Sequence, residues 1–182
     1  MSPQLPWFLA RAAGIVAWLL WTASVLWGVL LSTKAFPTRR RPAWLLDLHR
    51  WLGGLTVGFV AAHLAALAVD DAVSFSIADL LVPGAASWRT GAVALGVVAC
   101  WLLVLVQITS LAMRRIPKRV WRAVHLVSYA AFWLTSLHAS FAGTDRDRLL
   151  YQVTSLVAIV AVVWAALYRL TSPRVRRQRP AA

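Results

Sequence analysis

Four histidines, His49, His63, His125 and His138, are the residues of this 182-residue chain best suited to chemistry. None lies between the apolar runs. Two sit in LHRWLGGLTVGFVAAHL and two in WRAVHLVSYAAFWLTSLHASF. Imidazole is the commonest metal-binding side chain, and an ionisable group within an apolar span is costly enough that function is its default explanation. His49 and His63 are 14 positions apart, about 21 Å along a helix; His125 and His138 are 13 apart, about 19.5 Å. On parallel helices His49 can therefore face His125, and His63 can face His138. The crossed pairs differ in height by roughly 20 Å and cannot share a metal.

Two ligands at each level are too few for zinc, which takes four. A haem brings four nitrogens of its own and asks for two axial ligands, often histidine, and its apolar macrocycle suits a lipid-buried slot. Two such groups stacked across a bilayer form an electron wire. One difficulty stands. Fourteen residues leave two side chains about 40° apart on an ideal helix, whereas thirteen leave them about 140° apart. The competing reading of each histidine is a hydrogen bond between helices.

The elements that must carry these residues are membrane spans. The chain is 60% hydrophobic and only 14% charged, with 11 tryptophans and no glutamate, a balance that belongs to membrane proteins rather than soluble domains. Five segments reach the roughly 20 apolar residues needed to cross a hydrocarbon core: residues 7–31, 45–69, 91–113, 120–141 and 149–170. The segment after Pro6 lacks a basic leader and is too long for a signal peptide, so it reads as a retained span. Basic residues cluster at alternate ends. Lys34, Arg39, Arg40, Arg41, the run from Arg114 to Arg122 and the tail from Arg174 fall on one side, with Arg50 and Arg169. Only Arg11, Arg89, Arg146 and Arg148 fall elsewhere, so the positive-inside rule predicts N-terminus out and C-terminus in.

That distribution also accounts for the formal net charge of +13 without nucleic acid. Cys100 is the only cysteine, which excludes an internal disulfide, a Cys-rich zinc site and an iron–sulfur cluster held by this chain. Residues 74–83 read as a short amphipathic helix on the outer surface, stopped by Pro83 and Gly84.

The pairs H-x13-H and H-x12-H, with LARAAGIVAWL, LHRWLG, TGAVALGVVA, WRAVHLVSY and LHASFAGTD around them, resemble the ferric reductase-like transmembrane domain. Ferric reductases, NADPH oxidases and the haem subunit of the bacterial methionine-sulfoxide reductase system share that domain. The resemblance spans nearly the whole chain. It implies two haem b groups, the inner on His49 and His125, the outer on His63 and His138, with electrons moving outward from a cytoplasmic reductant. It also places Arg11 near the outer haem, where a guanidinium can pair a propionate or draw an anionic acceptor; the other reading is an arginine reaching the outer headgroups. Unlike the NADPH oxidases, the chain stops 12 residues after Leu170. No flavin or nicotinamide site is expected here, and the donor is a separate flavoprotein or a membrane quinol.

Secondary positions follow. Gly53, Gly54 and Gly58 suit close approach by a porphyrin or a helix. Phe132 and Trp133, midway between His125 and His138, suit an electronic bridge or plain packing. Arg122, ahead of Arg50, Arg115, Lys118 and Arg119, is the candidate for inner propionates. Asp70, Asp71 and Asp79 read as a solvated outer loop.

The sequence thus predicts an all-α, five-span protein of the cell membrane. Its haem domain covers residues 1–171 and a basic cytoplasmic tail covers 172–182. It has no catalytic residue of its own, and its acceptor is an extracytoplasmic redox protein or small molecule. Two other classes stand beside this reading: a quinol-linked cytochrome b anchor for an outer-face enzyme, and a haem-free transporter or scaffold.

Overall fold

Proline and glycine mark where the helices begin and end. In a computed structural model, residues 4–33, 42–71 and 73–172 are described. They form α1 (Leu5–Thr33), α2 (Ala43–Ala68), α3 (Ile77–Leu81), α4 (Thr90–Leu111), α5 (Lys118–Ala142) and α6 (Leu149–Thr171), and no described residue is in a strand. Pro42 and Pro117 each stand immediately before a helix, where the missing N–H is no loss. The short α3 opens on a capping box between Ser76 and Asp79 and is shorter than the segment expected over residues 74–83. The basic loop at residues 34–41 and the tail from residue 173 lie outside the described residues.

α1, α2, α4 and α6 are long and apolar enough to cross a membrane by length and composition. α5 has the length, 25 residues, but its two histidines, Tyr129 and four serine and threonine hydroxyls dilute its apolar character. The outward surfaces are apolar: Leu150, Leu156, Val160, Trp164 and Leu167 on α6 are all exposed. Such a face belongs in lipid, where a helix satisfies every backbone group internally.

Two antiparallel hairpins, α1–α2 and α4–α5, make most of the packing, and α6 lies against α1. α1 is the central helix. Its buried residues Ala10, Ala13, Ala17, Trp21 and Val25 recur every three or four positions, and the alanines let neighbouring backbones come close. The core at mid-height joins Trp18 and Trp21 of α1 with Leu103 of α4, Phe132 of α5 and Val162 of α6. Trp18 stacks on Phe132 at 6.4 Å and donates its indole N–H to Ser136 Oγ at 3.0 Å. The histidine-bearing helices behave differently. No Cα of α2 comes within 8 Å of a Cα of α5, so a slot separates them.

Candidate functional site: two histidine pairs across a slot

Each histidine is seated against the partner helix of its own hairpin. His63 Nδ1 lies 2.7 Å from the carbonyl oxygen of Ala10 on α1, and His138 Nδ1 lies 2.8 Å from that of Ala92 on α4. A carbonyl only accepts, so each Nδ1 carries the proton and each Nε2 keeps its lone pair. His49 Nδ1 meets Ser24 Oγ of α1 at 3.4 Å, and His125 Nδ1 meets Ser110 Oγ of α4 at 3.3 Å. None of the four Nε2 atoms hydrogen-bonds to a described residue.

Glycines make this seating possible. A Cβ at Gly14 would stand 3.1 Å from His63 Nδ1, one at Gly28 3.2 Å from His49 Cε1, and one at Gly96 2.6 Å from His138 Nδ1. Each glycine follows the Nδ1 partner by four residues, one turn on: Ala10 and Gly14, Ser24 and Gly28, Ala92 and Gly96. The bare turn lets the ring lie in the helix groove and reach the acceptor below. Ser110 needs no such glycine, because α4 ends at Leu111.

Seated in this way, the rings meet across the slot. His49 faces His125 with ring centroids 5.9 Å apart at 68°, and His63 faces His138 at 6.5 Å and 79°. The two α5 rings both turn Nδ1 onto α4 despite their 13-residue spacing. Near His138, Thr135, Ser136 and Ser140 each donate a hydroxyl to the carbonyl four residues back, the back-bonding that bends helices.

Around His63 and His138 lies a mainly apolar cavity of about 190 Å³. Trp7 and Phe75 pack edge-on against Trp88 beside it, at 6.3 and 6.0 Å. Arg11 and Asp145 sit on its lining. Arg11 Nε donates to Asp145 Oδ2 at 3.0 Å and Nη2 donates to Oδ1, so the guanidinium is engaged by a carboxylate of the α5–α6 loop. At the other pair, Trp121 stacks on His125 at 5.1 Å and 29°, and its buried indole N–H has no acceptor among the described residues. Arg169 of α6 donates to Tyr129 Oη at 3.2 Å. Arg122 is exposed, and Arg50 forms an exposed ion pair with Asp47.

No group of three or more His, Cys, Asp or Glu side chains able to hold a metal occurs among the described residues. The histidines are paired, two and two. The model of the ferric reductase like transmembrane component family matches residues 13–136. The chain belongs to this family. The match takes in His49, His63 and His125 and stops two residues short of His138, while Arg11 lies just before its start. No curated protein and no solved structure matches the chain. Membership in the ferric reductase-like family fits a multi-pass membrane protein with a redox role, and related members bind haem.

For this family member the structure adds residues that sequence reasoning passed over. Ser24, Ser110, Gly14, Gly28, Gly96 and Asp145 were given no part in the site from the sequence, and neither was the indole N–H of Trp121. One signal was available. Gly14 and Gly28 are separated by 14 residues, as are His49 and His63, the register that antiparallel helices require. The α2 glycines singled out beforehand do not touch the rings. Gly53 faces Gln107, while Gly54 and Gly58 have open space beside them. Phe132 is fully buried in the core, whereas Trp133 is 40% exposed on the outside.

Proposed function

We propose that the chain is a five-span, di-haem b-type cytochrome that passes electrons from a cytoplasmic donor to an extracytoplasmic acceptor. The observation that carries this reading is the ring separation of 5.9 and 6.5 Å across helices that otherwise stay apart. Two metal–nitrogen bonds of about 2 Å and two ring radii of about 1 Å add to roughly 6 Å. The glycines at Gly14, Gly28 and Gly96 let three of the rings seat with Nε2 unpaired, and the orphaned indole N–H of Trp121 fits a carboxylate-bearing group.

In this reading His49 and His125 hold the inner haem, and His63 and His138 the outer. Haem b, when bound, supplies a one-electron iron couple. The chain supplies the rest. The carbonyls of Ala10 and Ala92 fix the outer imidazoles with Nε2 toward the slot, and Ser24 and Ser110 do the same for the inner pair, a shell that tunes ligand basicity. The packed core at Trp18 and Phe132 keeps water from the space between the two levels. α5 is the fifth span, since it lies antiparallel to α4 and its histidines share levels with those of α2. Residues 1–171 form the haem domain and residues 172–182 a cytoplasmic tail, with the N-terminus outside the cell membrane. The donor is a flavoprotein reductase or a quinol, and the acceptor an outer redox protein or small molecule.

Haem extraction and assay test the proposal. The purified protein is expected to carry two haems per chain with low-spin b-type bands on reduction. His63→Ala is expected to lose one haem and leave inner-haem reduction intact. A featureless spectrum, or full haem retention in that variant, refutes the assignment. Offering a flavin reductase and a quinol analogue in turn identifies the donor by which one reduces the haem.

A further inference from the structure

We propose that Trp121 and Arg169 form a carboxylate-binding corner at the inner histidine pair, and that haem propionates occupy it. This rests on the di-haem reading above and names residues that recognise one part of the ligand. Trp121 lies four residues before His125 on α5, and its ring stacks on the imidazole. Its N–H is therefore held beside the group that grips the ligand, yet among the described residues no acceptor meets it and the atom is buried. Buried donors are rarely left unmet, because desolvation is not repaid.

Arg169 supplies a second donor from a different helix. No Cα of α6 lies within 8 Å of a Cα of α5, yet the Arg169 guanidinium crosses to Tyr129, one turn beyond His125, at 3.2 Å from Oη and 5.9 Å from the ring centroid. Among the described residues no carboxylate pairs with Arg169. The contrast with the outer pair is informative. There the arginine, Arg11, already has Asp145 as counterion. At the inner pair a buried indole donor stacks on His125 and a cation stands one turn on, at Tyr129, and among the described residues no carboxylate pairs with either. A carboxylate answers both, and haem propionates are the carboxylates that His125 would bring within reach. A lipid phosphate has the same chemistry, and blocking the haem carboxylates tells the two sources apart.

Trp121→Phe keeps a ring against His125 and removes only the N–H. In purified haem-loaded protein, spectroelectrochemical titration is expected to show a lowered inner-haem midpoint. Resonance Raman is expected to show a shifted propionate bending band, with the outer haem as unmoved internal reference. Arg169→Gln lowers the inner midpoint in the same direction, because a positive charge beside the reduced haem is lost. Reconstitution with haem dimethyl ester, whose carboxylates are blocked, removes the difference between wild type and Trp121→Phe. Unchanged inner band and midpoint in both variants overturn the corner. So does a shift that persists with the dimethyl ester and follows lipid exchange, which assigns the donors to a lipid phosphate. Loss of both haems in Trp121→Phe reports general unfolding, and Arg169→Gln then decides. Absence of haem from the wild-type protein sinks the cytochrome reading itself, and it is seen before any variant is made.

Discussion

A methyl group added at Gly96 stands 2.6 Å from Nδ1 of His138 and 2.7 Å from its Cε1, distances no carbon keeps without something moving. The ring must leave the α4 groove and with it the Ala92 carbonyl that fixes its tautomer. On the proposed di-haem reading, Gly96→Ala is therefore expected to remove the haem at His63 and His138 and spare the one at His49 and His125, read as haem per chain. Helix content should hold, since alanine gains roughly 0.5–1 kcal/mol over glycine in a helix interior. Gly14→Ala, with its closest contact at 3.1 Å, is expected to weaken outer-haem retention less. At this scale the histidines were legible in the sequence because imidazole is conspicuous in an apolar run. Gly96 was not, because only a ring pressed against it distinguishes it from any other small residue in a span.

Among the elements, the α4–α5 hairpin bears the hardest geometry. Its two histidines are 13 residues apart, a spacing that an ideal helix turns to opposite sides, yet both rings lie against α4. The end of the hairpin nearest His138 is pinned by Arg89, which has φ 43°, a left-handed conformation that disfavours a side chain. The side chain compensates by donating to the carbonyls of Phe141 and Ala142, where α5 ends, and a cation at a helix C-terminus is favourable. Arg89→Ala keeps the strain and loses the cap. It is expected to lower stability by about 1 kcal/mol, measured as a drop in the thermal midpoint in detergent, with the His63–His138 level loosened before the His49–His125 level. The five helical runs were visible in advance from length and hydropathy alone. The seating of both α5 rings on α4 was not, since the direction each ring takes is set by the neighbouring helix.

For the whole molecule, the alternation of basic and acidic loops predicts which end faces the cytoplasm. A fluorescent protein fused after Ala182, which matures only inside the cell, is expected to glow; a dark fusion with an active periplasmic-type reporter would reverse the orientation. By itself the sequence determined the membrane class, the all-helical architecture and the two levels at which histidines sit. Each of these follows from local quantities: the length of an apolar run, the rise per residue and the placement of charge. Tertiary structure alone decided the rest. It chose backbone carbonyls for His63 and His138 and hydroxyls for His49 and His125. It gave Arg11 the carboxylate of Asp145, 134 residues away, and left the Trp121 indole without an acceptor among the described residues. Those outcomes depend on how each helix is rotated about its axis and how far α2 stands from α5. Rotation and spacing are settled by the sum of many weak packing contacts between distant segments, and no local pattern encodes that sum.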